Sequence, residues 1–332
     1  MSLSLPPEIK NNLSNIGKKT PVEPRKESLE KLLNLKKEEF KNHESYVVYE
    51  LLDLVLKRFD DKPIIYDLTL SVGLHLVGLF SIQGFSSVLE IFESNLSFDS
   101  KSKIKLGTLK LLNAYIQRVN DLDRDLLSSS LPKLVNSLSP LLYDTKKEVA
   151  DESSDTLLLA MKGITNRDLE PFVEDLVKAM KDRNETDETI QKLAGVVFVQ
   201  TVEGSALSVV VPLMIAGLRQ NKSIIKRMCA RIISNMSKLV EEPLEAKPFL
   251  IELIPTLEGA IDTIADPEAR GVAEQTLVNL KKIDTKASLD IKNKEFMKQD
   301  VISNRIKLHI NLKRPISEPE LLDVIKYVSY IV

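Results

Sequence analysis

"IADPEARGVAEQTLVNLKKI" (264–283) is the stretch that decides the fold. Asp266 and Pro267 open it, and small and large apolar residues then recur at helical spacing. Ala269, Ala273, Thr276 and Leu277 stand at i, i+4, i+7 and i+8, one face of an α-helix. The same face is written upstream by Ile225, Cys229, Ile232 and Ile233, and by Ile190, Ala194, Val197 and Phe198. Val149, Ser153, Thr156 and Leu157 write it again, as do Ile104, Thr108, Leu111 and Leu112. Successive starts lie about 35–45 residues apart, the period of two-helix HEAT or armadillo units.

The second column of this alignment reads Thr108, Ser153, Ala194, Cys229, Ala273, and every member is small. Small residues at one height let a neighbouring helix approach closely, whereas bulk there costs roughly 1–3 kcal/mol. Cys229 is therefore expected as a buried packing residue rather than a reactive thiol. An apolar helix precedes each of these faces: 129–142, 168–180, 206–218 and 247–261. Most carry a proline near the start, where it is tolerated, or further in, where it kinks the helix. The turns between the two helices read "FDSKSK", "YDTKKE", "RNETDE", "QNKS" and "ADPE". Their Asp, Asn and Ser side chains can accept the first backbone N–H groups of the second helix. A single two-helix unit cannot bury its apolar face alone, so such units stack.

The expected fold is thus all-α, a right-handed α-solenoid of HEAT-type repeats with a short C-terminal helical extension. Residues 1–26, polar and proline-bearing, read as an extended arm, and 27–283 as the repeat domain. Within it, 27–41 reads as one helix, and 46–59 and 64–80 as divergent first repeats. "DTKASLDIKNKEFMKQD" (284–300) reads as a polar linker, and 301–332 as part of a helical bundle whose partner helices lie elsewhere.

Composition narrows the function classes. The chain has 332 residues, 43% of them hydrophobic but only 5% aromatic, with no Trp, so Leu, Ile and Val fill the core. The net charge of -2 does not suit a surface that tracks nucleic acid throughout, so any RNA contact must be a local patch. One cysteine excludes an intrachain disulfide and fits a reducing compartment. The N-terminus shows no secretory h-region, and the most apolar run, 209–218, is about half a membrane span. A cytoplasmic protein with no membrane partner is expected.

No catalytic constellation is visible. His43, His75 and His309 share no metal-type spacing, and His75, in an apolar helix, is expected to be a satisfied core histidine. "NDLDRDL" (120–126) lacks the Gly and Glu of a calcium loop, and "NIGKKT" (15–20) lacks the first Gly of a phosphate loop. No enzyme activity, cofactor, metal or small-molecule substrate is expected.

What remains is charge on the turns. Lys101, Lys103, Lys105, Lys146, Lys147, Lys222, Lys226 and Arg227 fall in the turns or the first turn of the second helix. On a solenoid they would form a ridge able to follow a phosphate backbone. The competing reading is plain solvation plus a ladder. Lys105, Lys226 and Arg270 share a column, and each could pair with an acidic residue of the neighbouring repeat.

Two strings go beyond a generic repeat. "VVFVQTVEGSALSVVVPLMIAGL" (196–218) and "PFLIELIPTLEGAIDTIADPEAR" (248–270) resemble the N-terminal HEAT domain of the fungal-type translation elongation factor 3 family. Phe198, Val199, Thr201, Val202, Glu203, Asn235, Met236, Lys238, Leu239, Val240 and Asp266-Pro267-Glu268 carry the likeness, which extends over 140–283 and fades before about residue 100. "YDTKKEVADESS" (143–154) shares it more loosely. The resemblance implies a cytoplasmic, ribosome-associated region that docks on small-subunit rRNA and proteins. That family couples docking to ATP-binding cassettes, and this chain shows none. The implied role is a non-catalytic ribosome-binding scaffold in translation elongation or ribosome occupancy. The alternatives are the HEAT region of a general-control kinase activator and a generic protein-binding solenoid adaptor.

Overall fold

The computed structural model describes residues 15–16, 20–36 and 51–312. Among them the regular structure is α-helix with short 3-10 turns and no strand. The chain divides into two compact units, Met1–Val196 with Gly204–Leu213, and Val197–Glu203 with Met214–Val332.

In the first unit, α1 (Val22–Leu32) and helix α2, described over 51–56 and closed by the 3-10 turn Lys57–Phe59, precede α3 (Pro63–Leu79). Three helix pairs follow. They are α4 (Phe85–Asn95) with α5 (Ser102–Leu122), α6 (Arg124–Leu138) with α7 (Lys147–Met161), and α8 (Val173–Lys181) with α9 (Thr186–Ala194). Each pair packs face to face, and α1, α3, α5 and α7 pack on one another in that order. This is a stack of two-helix repeats. The buried face of α5 is Leu109, Leu112, Tyr115, Ile116 and Val119, the 3-4-3 spacing that an amphipathic helix requires. Asp123 caps α6, its carboxylate accepting the Leu126 N–H at 3.0 Å.

Close approach is built into the stack. Thr108 and Ser153 of the small-residue column are fully buried. The Ser153 hydroxyl donates to the Leu138 carbonyl at 2.9 Å, so α7 is pinned to α6. Gly107, beside Thr108, lies against the Phe59 ring, and a Cβ there would overlap that ring.

In the second unit, the end of α10 (Gly204–Leu218) leads to α11 (Ser223–Ser237), α12 (Pro243–Ile261) and α13 (Pro267–Leu312). Helix α13 packs on both α11 and α12. Cys229 and Ala273 are fully buried, as the column requires, whereas its remaining member Ala194, the last residue of α9, is half-buried. The non-helical segment Val197–Glu203 belongs to this unit, and Val202 N–H donates to the Leu239 carbonyl at 3.0 Å.

Several expected boundaries shift. Helix α1 begins inside the expected arm, because Pro21 and Pro24 flank or enter its first turn, where a missing N–H leaves no bond unmade. It ends at Leu32, and residues 37–41 of the expected helix lie outside the described residues. Helix α9 stops at Ala194, leaving Val197 78% exposed although Phe198 is buried. Gly195 and the β-branched run that follows it disfavour further helix. The expected linker 284–300 is helical. It lies within α13, a stretch free of Gly and Pro from residue 272 to 312. Ala287 is fully buried, and the Lys247 ammonium holds Asp284 at 2.7 Å and Ser288 at 2.9 Å, tying this stretch to α12. Residues 301–312 continue α13, and 313–332 lie outside the described residues.

Candidate nucleic-acid interface

The turns between paired helices sort the expected basic residues into two kinds. Lys105 sits one turn into α5 and is 6% exposed. Its ammonium meets the Asp144 carboxylate at 2.9 Å and the Phe98 carbonyl at 3.2 Å. Asp144 opens the next repeat's turn and also accepts the Lys146 N–H at 2.9 Å. Burial alone would raise the Asp144 carboxyl; the Lys146 N–H and the Lys105 ammonium outweigh it and hold the group below the usual carboxylate range. Lys105 therefore locks two successive turns together and faces no solvent partner.

Lys226 plays the same part in the second unit, buried at 7% exposure with its ammonium on the Thr263 hydroxyl at 2.5 Å. Arg270, in the same column, clips the Ile264 carbonyl from Nε and Nη2 at 3.1 and 2.8 Å. The ladder expected for this column holds in part: Lys105 and Lys226 reach the next repeat, only Lys105 through an acidic residue, whereas Arg270 binds within its own turn. The others use a hydroxyl and a carbonyl.

The remaining basic residues are exposed. Lys101 pairs with Asp60 at 2.5 Å, and Lys103 reaches the Asp61 carbonyl at 3.3 Å. Arg227 meets Asp266 at 3.4 Å, with both side chains well exposed. Lys222 is exposed at the start of α11. Lys146 and Lys147 are exposed at the start of α7 and make no ion pair among the described residues. The structure brings Lys103, Lys146 and Lys147 together. With Ser102, Leu106, Glu148 and Val149 they line a cleft of about 410 Å³ between the starts of α5 and α7. Three lysines and one glutamate line it, so the cleft carries net positive charge.

Two aromatic residues absent from the expected basic ridge border these turns. Phe98 and Tyr143 occupy corresponding places in "FDSKSK" and "YDTKKE". The Tyr143 hydroxyl donates to the Met180 carbonyl, tying it to the next repeat. Phe98 is 94% exposed. The signal was an apolar ring in an otherwise polar turn. Among the other expectations, His75 is half-buried rather than in the core, its Nε2–H donating to the Leu35 carbonyl at 2.8 Å. No single helix among the described residues is long and apolar enough to cross a membrane.

Stacked two-helix units with small residues at one height and cross-repeat locks on the turns define a HEAT-type repeat protein. Two family models match it: "EF3 N-terminal HEAT repeat" over residues 4–157 and "Elongation factor 3/GNC1 HEAT repeat" over 184–290. The chain belongs to this family, as a HEAT-repeat region of the elongation factor 3 type. Elongation factor 3 of Eremothecium gossypii is 29% identical over 288 residues, 87% of this chain and 27% of that protein. Elongation factor 3B of Saccharomyces cerevisiae is 34% identical over 197 residues, 59% of this chain and 18% of that protein. The Pneumocystis carinii factor is 40% identical over 154 residues, 46% of this chain and 15% of its own length. The chain therefore spans about a quarter or less of these relatives. The family match also reaches further toward the N-terminus than the strings that first carried the likeness.

Proposed function

We propose that this chain is a ribosome-docking scaffold that acts in translation without a catalytic centre of its own. In this reading it meets small-subunit rRNA and ribosomal proteins through its exposed turns, in the cytoplasm. The observation that carries the reading is the cationic cleft of Lys103, Lys146 and Lys147. The Lys105–Asp144 pair ties together the two turns that carry these lysines. Membership of the elongation factor 3 family supports the choice of partner. Lys101, Lys222 and Arg227 are accessory contacts in this proposal, and Lys105 and Lys226 are structural.

Cosedimentation of the purified chain with ribosomes across a salt series tests it. Phosphate contacts release counterions, so binding falls steeply as salt rises, by a log–log slope of about 0.7–0.9 per phosphate. Binding that ignores salt would point to an apolar protein contact, and absence of binding at low salt would end the proposal.

A further inference from the structure

Resting on that reading, we infer that Phe98 is a stacking platform for an unpaired base of the docked RNA, beside the lysine cleft that holds its phosphates. Four observations lead there. First, Phe98 is 94% exposed, whereas Phe59, Phe85 and Phe92 are fully buried and Phe172 and Phe249 are half-buried. The fold makes no use of its ring as core.

Second, the ring is presented, not loose. Ser100 N–H donates to the Ser97 carbonyl at 3.0 Å, closing a turn with Phe98 at its second position. The two serine hydroxyls are also 3.0 Å apart. Lys105 fastens the Phe98 carbonyl at 3.2 Å and, through Asp144, ties the turn to the next repeat.

Third, the ring already has a cation on one side, with the Lys105 ammonium 5.8 Å from its centroid. The rest of the ring surface is left to solvent.

Fourth, the turn that presents the ring leads directly into α5, whose first residues Ser102 and Lys103 line the cationic cleft. An exposed aromatic beside a basic groove is the arrangement that binds single-stranded nucleic acid, because every base offers a π-face and stacking tolerates any sequence. An apolar protein surface would cover the ring but leave the cleft-lining lysines unmatched.

The test uses the full chain and purified small ribosomal subunits as the probe. Phe98→Ala weakens binding about ten-fold with an unchanged salt slope, since stacking releases no counterions. Phe98→Trp retains the affinity. Lys146→Glu/Lys147→Glu weakens binding and flattens the salt slope. The ring is solvent-exposed, so all variants keep the wild-type helical circular dichroism and melting temperature. A photo-cross-linking benzoylphenylalanine at position 98 then forms its adduct with rRNA. Phe98→Ala binding like wild type, while the lysine reversal weakens it, would leave the phosphate reading standing and overturn the stacking. Cross-links to ribosomal proteins alone would also overturn it. Failure of the wild-type chain to bind would remove both.

Discussion

At the scale of single residues, Lys105–Asp144 shows how a surface charge becomes a structural one. Its side chains are 7% and 9% exposed, so removing one partner strands the other in a poorly solvated place. Asp144→Asn is expected to cost about 3 kcal/mol, the lower end for breaking a nearly buried pair. Urea unfolding at pH 7 measures it. The sign of the pH dependence follows from the depressed carboxyl. Its contribution is fully present above the ordinary aspartate value of 3.8 and is lost as pH falls from there through the folded-state value. The stability gap between wild type and Asp144→Asn therefore closes on acidification below that point and stays constant between pH 5 and 7. The repeat register offered cross-repeat pairing for Lys105 as the alternative to a place on the binding ridge. Which acid it would choose was not, because Asp144 is 39 residues away and only the stacking brings it near. Lys146 and Lys147 are lysines of the same kind of turn, one turn outside the column that holds Lys105. Burial alone separates binder from lock, and burial is a property of the folded stack.

At the scale of helices, the small-residue column was readable because close packing punishes bulk at a fixed height. Cys229, fully buried in α11, tests it: Cys229→Leu is expected to lose about 1–3 kcal/mol by overpacking. Gly107→Ala, pressed against the Phe59 ring, should lose a similar amount. Thermal or urea unfolding of either variant checks the expectation. Helix ends were less readable than helix faces. Prolines near Val22 suggested an arm, yet a first turn accepts them. The polar run 284–300 suggested a linker, yet it contains no breaker and has α12 to pack against. Lys286 is exposed in that run, so Lys286→Pro isolates the backbone effect. Within α13 it costs about 3 kcal/mol and reduces the helical circular dichroism. A linker would accept the proline with neither change. The helix α9 failed in the opposite sense: apolar spacing continued past Ala194, but Gly195 and a β-branched run did not sustain the helix.

For the whole molecule, two repeat units of an elongation factor 3-type HEAT region present basic turns of unequal character. The family was legible from particular strings, above all 196–218 and 248–270. The N-terminal repeats, though matched by the family model over 4–157, kept too little of that wording to be read by eye. The ridge was readable from the turns, but the cleft that joins Lys103 to Lys146 and Lys147 across a repeat was not. Phe98 stood in plain sight in its turn, but only exposure distinguishes it from a core phenylalanine. The proposed role divides these residues into those that lock the stack and those that meet a partner. The most direct test is ribosome cosedimentation of wild type against Lys146→Glu/Lys147→Glu over a salt series. The account predicts steep salt dependence for the wild type, weaker binding for the variant, and a slope smaller by about 1.4–1.8 for two lost phosphate contacts. Equal binding and equal slopes, with both proteins folded, would contradict it.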